Sequence, residues 1–138
     1  MKYISLVLFF TVFMQNAISL AADKSICQPS DSLSFFANGE LKACDLKSIF
    51  EIGNLKCSAN SLISFHQNGK ISTCILNEDY AADGFHCGDL GAISFYASGK
   101  LRSCTLNNNF TVDGKKCSGN QPIYLFENGR LQSCDEEQ

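Results

Sequence analysis

Eight cysteines in two interleaved series constrain this chain more than any other feature. Cys27, Cys57, Cys87 and Cys117 recur every 30 residues, and Cys44, Cys74, Cys104 and Cys134 recur in the same step. A fixed period of this length is the signature of a repeat array, and an even cysteine count in a chain of 138 residues is the usual mark of a disulfide framework. Other positions keep the same frame. Leu33, Ile63, Ile93 and Ile123 are followed two residues later by Phe35, Phe65, Phe95 and Leu125. Asn38, Asn68, Ser98 and Asn128 each precede a glycine (Gly39, Gly69, Gly99, Gly129), and Leu41, Ile71, Leu101 and Leu131 then precede the second cysteine. The units run 27–56, 57–86, 87–116 and 117–134 within one repeat domain, 22–138.

Each unit carries turn chemistry. Asn-Gly between apolar stretches supplies the positive φ that a tight hairpin needs, so residues 32–37 and 40–46, and their counterparts, are expected to pair as antiparallel strands. A second turn signal lies between units: Asp83-Gly84, Asp113-Gly114 and, in the first copy, Gly53-Asn54. Between the turns, Phe50, Tyr80 and Phe110 with Ile52, Ala82 and Val112 predict a third short strand. No segment holds a helical period, and the two prolines, Pro29 and Pro122, are placed in inter-strand loops. The expected fold is therefore all-β: an antiparallel meander of four hairpin repeats of about 30 residues, stapled by disulfides. The acidic tail 135–138 is read as the fraying end that keeps the last unit from presenting a sticky edge.

The start of the chain points to export. Lys2, an apolar run over residues 4–14 and small residues ending at Ala21 and Ala22 have the layout of a signal peptide, residues 1–21, cleaved after Ala21 or Ala22. The run falls short of the roughly 20 apolar residues of a membrane span, so no membrane insertion is expected after cleavage. Lys24, Ser25 and Ile26 separate the small residues from Cys27, so no lipid is expected there. The destination is exported, periplasmic or secreted. Beyond the leader the formal charge is −4, from 10 Lys and Arg against 14 acidic residues, which argues against a nucleic-acid or anionic-membrane footprint.

Two pairings of the cysteines compete. Closing within each unit joins Cys27 with Cys44, Cys57 with Cys74, Cys87 with Cys104 and Cys117 with Cys134, and uses every cysteine. The alternative joins Cys44 with Cys57, Cys74 with Cys87 and Cys104 with Cys117, and strands Cys27 and Cys134. The within-unit scheme is preferred, although a two-residue turn puts the first cysteine a strand away from the second unless the sheet is curved or bulged.

Chemical candidates are weak. The cysteines lack the close pairs that structural zinc sites favour, and His86, before Cys87, is replaced by Lys56 and Lys116 in neighbouring units, so no metal or cofactor is expected. His66 stands where other units have Phe36, Tyr96 and Phe126, which reads as a packing role. Glu78, Asp79, Asp83 and Asp113 offer carboxylates, but the turns explain the aspartates at 83 and 113. No catalytic residue is assigned and no enzyme is expected. The column Phe36, His66, Tyr96 and Phe126 is out of phase with Phe35, Phe65, Phe95 and Leu125, so both faces of the sheet carry large side chains. Either both stripes are covered, by sheet curvature or loop packing, or one is core and the other, Phe36, His66, Tyr96 and Phe126, is the candidate binding stripe. Lys70, Lys100 and Arg130, after the glycines, are solvated turn residues whose position beside aromatics favours an acidic or sugar ligand.

The phrase Phe-x-x-Asn-Gly-Lys-Leu, carried with variation by residues 65–71 and 95–101, resembles bacterial MORN-like repeats over the hairpin half of every unit. That resemblance implies an extended antiparallel sheet used for scaffolding and protein contacts, and implies no catalytic residues. This chain differs in its longer period, its lack of Trp and its paired cysteines. The expected role is a binding or structural module for another protein or envelope component. The alternative is a small secreted inhibitor or effector acting through its inter-repeat loops.

Overall fold

The structure, a computed structural model, describes residues 23–137, so the leader assigned to residues 1–21 lies outside the described residues. A short 3-10 turn, Lys24–Ile26, precedes fourteen strands. Eight of them form one antiparallel sheet: β1 (Ser34–Phe35), β2 (Leu41–Asp45), β5 (Leu62–Phe65), β6 (Ile71–Ile75), β9 (Ala92–Phe95), β10 (Leu101–Thr105), β13 (Pro122–Leu125) and β14 (Leu131–Cys134), in that order across the sheet. The other six make three separate hairpins: β3 (Phe50–Ile52) with β4 (Leu55–Cys57), β7 (Tyr80–Ala82) with β8 (Phe85–Cys87), and β11 (Phe110–Val112) with β12 (Lys115–Cys117). The all-β repeat meander is as expected. The third strand of each of the first three units, however, leaves the main sheet and pairs with a fourth, so β2 lies directly beside β5. Pro122 opens β13 opposite Thr105 rather than lying in a loop, and at the first residue of a strand a missing N–H costs little.

The two turn signals build different turns. At each main-sheet hairpin tip, three Asn-Gly and one Ser98-Gly99, only the glycine takes positive φ, between +81° and +91°. The Gly39 N–H donates to the Phe36 carbonyl and the Phe36 N–H to that of Glu40, a three-residue loop with glycine in the left-handed position. The asparagine instead uses its side chain: Asn68 Oδ1 accepts from the Lys70 N–H at 3.1 Å. At the small hairpins, Asp83 and Gly84 (φ +51° and +86°) and Asp113 and Gly114 (φ +48° and +77°) form the two-residue turn with both positions left-handed.

Within each main-sheet hairpin one residue of the second strand is unpaired. Phe65 faces Ile71 and Ser64 faces Thr73, so Ser72 is extra, as Lys42, Arg102 and Gln132 are in the other units. This bulge changes the alternation. Ile71, Cys74 and Leu76, spaced three and then two, all turn inward, and so do Leu41, Cys44 and Leu46.

The inward face is covered by the small hairpins. Leu55, Cys57, Ala82, Phe85 and Cys87 from those hairpins join Ile63, Phe65, Ile71, Cys74, Leu76, Ile93 and Phe95 from the sheet in one apolar cluster. Phe50 meets Phe65 edge-on, 6.4 Å between ring centres, and Phe85 meets Phe110 at 5.2 Å. No polar or charged side chain among the described residues is buried.

Four disulfides fix this arrangement: Cys27–Cys44, Cys57–Cys74, Cys87–Cys104 and Cys117–Cys134, with Cα atoms 5.6 to 5.8 Å apart. The within-unit bridge is reachable because the first cysteine is not on a main-sheet strand. Cys57 ends β4, where that strand meets the end of β6: the Ser58 N–H donates to the Ile75 carbonyl at 2.8 Å, and the Asn77 N–H to that of Lys56 at 2.9 Å. With partners separated by 17 in sequence, chain entropy gives each bridge about 3 kcal/mol.

Side chains add further ties. Asp83 Oδ2 accepts from the Leu101 N–H, beside the bulge, at 2.7 Å, and Asp113 Oδ2 accepts from the Leu131 N–H at the same distance. Asp79 Oδ1 accepts from the Asp89 N–H at 2.9 Å and its Oδ2 from Asn107 Nδ2 at 3.1 Å. In the next unit Asn109 Oδ1 does the same for the Gly119 N–H at 2.7 Å.

The Asp89 N–H, followed by the Asn107 amide, holds the Asp79 carboxyl below its ordinary value. Its contribution to stability is therefore complete above the unfolded value of about 3.9 and is lost as pH falls through the lower native value. Asn109 shows that an amide makes the same backbone bond. Asp79→Asn keeps that backbone bond but gives up the charge and the second oxygen that accepts from Asn107. It is therefore expected to lower the urea midpoint modestly at pH 7 and to flatten its fall below about pH 4, as read by circular dichroism titrations at a series of pH values.

Candidate functional site on the outward sheet face

The small hairpins occupy the inward face, so the second stripe belongs to the outward one. Three rows cross this face. The middle row runs Ser34, Ala43, Ser64, Thr73, Ser94, Ser103, Tyr124 and Ser133, each opposite the next in the strand pairing. Its hydroxyls bond in pairs, Ser64 with Thr73 at 2.7 Å and Ser94 with Ser103 at 2.6 Å. A second row holds Asp45, Leu62, Ile75, Ala92, Thr105 and Pro122, with Leu62 exposed.

The third row, at the turn end, is the expected stripe. Phe36, His66 and Tyr96 are half-buried and Phe126 is exposed. His66 Nε2 lies 2.9 Å from the Phe95 carbonyl oxygen, and the Tyr96 hydroxyl donates to the Leu125 carbonyl at 2.9 Å. Each ring thus extends from its own unit to the next. Asn68 Nδ2 to the Ala97 carbonyl (2.7 Å) and Lys70 Nζ to the Ser98 carbonyl (3.0 Å) repeat the tie alongside. His66 and Tyr96 therefore act as spacers between units while keeping part of their surface outward. Phe36 lacks a polar tip, and Phe126 lies in the last unit, beside the edge strand β14.

The sequence reading overlooked the cations on the bulges. Lys42 Nζ stands over the Phe36 ring, 5.9 Å from its centre, and the Arg102 guanidinium over the Tyr96 ring at 5.7 Å. The signal was present: each lies in the broken alternation between Leu41 and Cys44, or Leu101 and Cys104, where a bulge pushes one side chain out. Tyr124, 45% exposed, was overlooked as well. Lys42, Lys70, Lys100, Arg102 and Arg130 all lie at the turn end of the sheet, against Glu40 and Glu127. The Asp83 and Asp113 carboxylates also reach this end, bonded to the Leu101 and Leu131 N–H groups, and the remaining acid sits on the small hairpins, the inter-unit loops and the tail.

The opposite side of the molecule has shallow grooves between hairpins. One of about 310 Å³ is lined by Gly53, Asn54, Lys56, Glu78, Asp79 and Tyr80. Across it Lys56 Nζ and Glu78 Oε1 are 2.9 Å apart, and that hydrogen bond holds the Lys56 ammonium above its ordinary value. Another of about 170 Å³ is lined by His86, Leu106, Asn107, Asn108, Asn109 and Phe110. Nearby, Leu90 is 77% exposed with φ +59°, a conformation that Asn60 and Asn120 supply in the neighbouring units. The eight cysteines are all bridged, so none offers a thiolate, and among the described residues no three His, Cys, Asp or Glu side chains cluster to hold a metal ion.

Comparison with known proteins finds no match: no family model, no curated protein and no solved structure matches this chain.

The two halves of the stripe should respond differently to substitution. Tyr96→Phe removes one inter-unit hydrogen bond and is expected to cost about 1 kcal/mol, whereas Phe126→Ser, at the exposed end, should stay within about 0.5 kcal/mol of the native protein. Urea denaturation of both variants checks the contrast.

Proposed function

We propose that this chain is an exported, disulfide-stapled β-repeat protein that works by binding or by structure, presenting the outward face of its sheet to another protein or an envelope component, and that it is not an enzyme. The observation that carries the reading is the turn-end row: Phe36, His66, Tyr96 and Phe126, tied to a rigid repeat frame and flanked by cations in an otherwise acidic chain. Four bridges fit an oxidising compartment, and a leader at residues 1–21 would deliver the chain there. The likeness of the hairpin half to MORN-like repeats belongs to the same proposal, since that resemblance implies contact-making rather than catalysis.

One observation favours a second reading, a small secreted inhibitor or effector acting through inter-repeat loops. Leu90 exposes an apolar side chain from a backbone conformation that costs an L-residue about 1–2 kcal/mol, and such strain is retained at contact sites more often than elsewhere.

Cross-linking in the native compartment, read by mass spectrometry, separates the two. A saturable partner lost in Phe36→Ser with Phe126→Ser, but kept in Leu90→Asn, supports the sheet-face reading. The reverse pattern supports the loops, and a partner kept by both variants contradicts both surfaces.

A further inference from the structure

We infer that the turn-end row is a track for an acidic, β-linked polysaccharide, one carboxylate-bearing disaccharide per repeat unit. This rests on the sheet-face reading above and names its ligand class.

Spacing is the first argument. Each unit contributes two strands to the sheet, so equivalent side chains recur every two strand spacings, about 9.6 Å along the array. An extended β-linked glycan repeats over two sugar rings, and its repeat has nearly the same length. Few other linear polymers present one face and one charge at that interval. A protein surface without internal repeats has no such period, so the match favours a repetitive ligand.

The chemistry of the row is the second argument. Sugar rings offer C–H faces that pack on aromatic surface, and uronic acids offer carboxylates that a guanidinium or ammonium binds. Here the cation stands over the ring itself, Lys42 over Phe36 and Arg102 over Tyr96, so a bound carboxylate must draw the exposed cation aside for the sugar to pack on that ring face. Units two and four keep a cation next to the turn glycine instead, Lys70 beside His66 and Arg130 beside Phe126. Every unit thus offers one ring and at least one cation at this end of the sheet. The neighbouring row of serine and threonine hydroxyls lies parallel to the track, within reach of sugar hydroxyls.

Rigidity is the third. His66 and Tyr96 are already anchored at their far ends to the next unit's backbone, so little side-chain freedom remains to be lost on binding. The balance of charge adds directionality: at the turn end Lys42, Lys70, Lys100, Arg102 and Arg130 outnumber Glu40, Glu127, Asp83 and Asp113, of which the last two are engaged by backbone N–H groups, whereas acid predominates over the rest of the chain beyond the leader.

The test uses the mature, oxidised protein and hyaluronan oligosaccharides, which carry one carboxylate per β-linked disaccharide, with chitin oligosaccharides of equal length as the neutral control. Calorimetry at low salt is expected to show saturable hyaluronan binding. The octasaccharide should exceed the tetrasaccharide by about tenfold or more, because linked sites add through effective concentration. Affinity should fall as salt rises. Lys42→Ala with Arg102→Ala changes only exposed cations and should lower octasaccharide affinity about tenfold with an unchanged circular dichroism spectrum. Three results overturn the inference: no hyaluronan binding at millimolar concentration, equal binding of the chitin octamer, or full affinity in the double variant. If hyaluronan binding is absent while the cross-linked partner is lost in Phe36→Ser with Phe126→Ser, the glycan track falls and the sheet-face reading stands. If hyaluronan binds as described and no protein is cross-linked, the track stands.

Discussion

Three of the four cystines lie where the return strand of a small hairpin meets the end of a main-sheet strand, and the fourth joins Cys27, after the 3-10 turn, to the end of β2 in the same way. The rest of the molecule depends on that junction. A sheet of short strands cannot bury its inner face alone, and each three-residue strand pair is too small to be stable by itself. Joining Cys57 to Cys74, and repeating the joint in every unit, keeps the hairpin over the sheet, where Leu55 and Phe50 reach Ile63 and Phe65. The bulge serves the same geometry. Without the extra residue at Ser72, the alternation that turns Ile71 inward would turn Cys74 outward, and no bridge would form. The covalent link, the bulge and the apolar contacts thus impose one structure on each unit and leave the opposite face of the sheet uncovered.

Much of this was legible in the sequence because a repeat displays its own constraints. The cysteine period defined the units, the Asn-Gly pairs located the hairpin tips, and the in-frame Leu, Ile and Phe positions marked the core. Departure of the third strand from the main sheet was not legible, since Phe50 and Ile52 alternate as well in a separate hairpin as in a continuing meander. The bulge had a signal in the spacing of Leu41, Cys44 and Leu46, three and then two, which a regular strand cannot place on one face. Asn-Gly also promised more positive φ than it delivers: the glycine alone is left-handed, and the asparagine closes the turn through its side chain.

For the outward face, the sequence identified the aromatic column but not its attachments. A period of 30 residues says which side chains are equivalent. It does not say that His66 and Tyr96 reach the carbonyl of the following unit, because that bond depends on how units are stacked. The structure makes the column both a spacer and a surface. It also brings Lys42 and Arg102 beside two of its rings, a pairing of distinct sequence positions that only the bulge creates. Physical economy links these facts: a frame rigid enough to hold its units in step presents chemically similar groups at equal intervals, which suits a partner with a repeat of its own.

The within-unit bridging is the feature on which the whole structure rests, and the most direct test is the connectivity of the bridges in the native protein. Proteolysis without reduction, followed by mass spectrometry, should yield linked peptides joining Cys27 to Cys44, Cys57 to Cys74, Cys87 to Cys104 and Cys117 to Cys134. Peptides joining Cys44 to Cys57, Cys74 to Cys87 and Cys104 to Cys117, with Cys27 and Cys134 free, would contradict it, because the small hairpins would then be tethered to the preceding strands and the packing that defines the outward face would be lost.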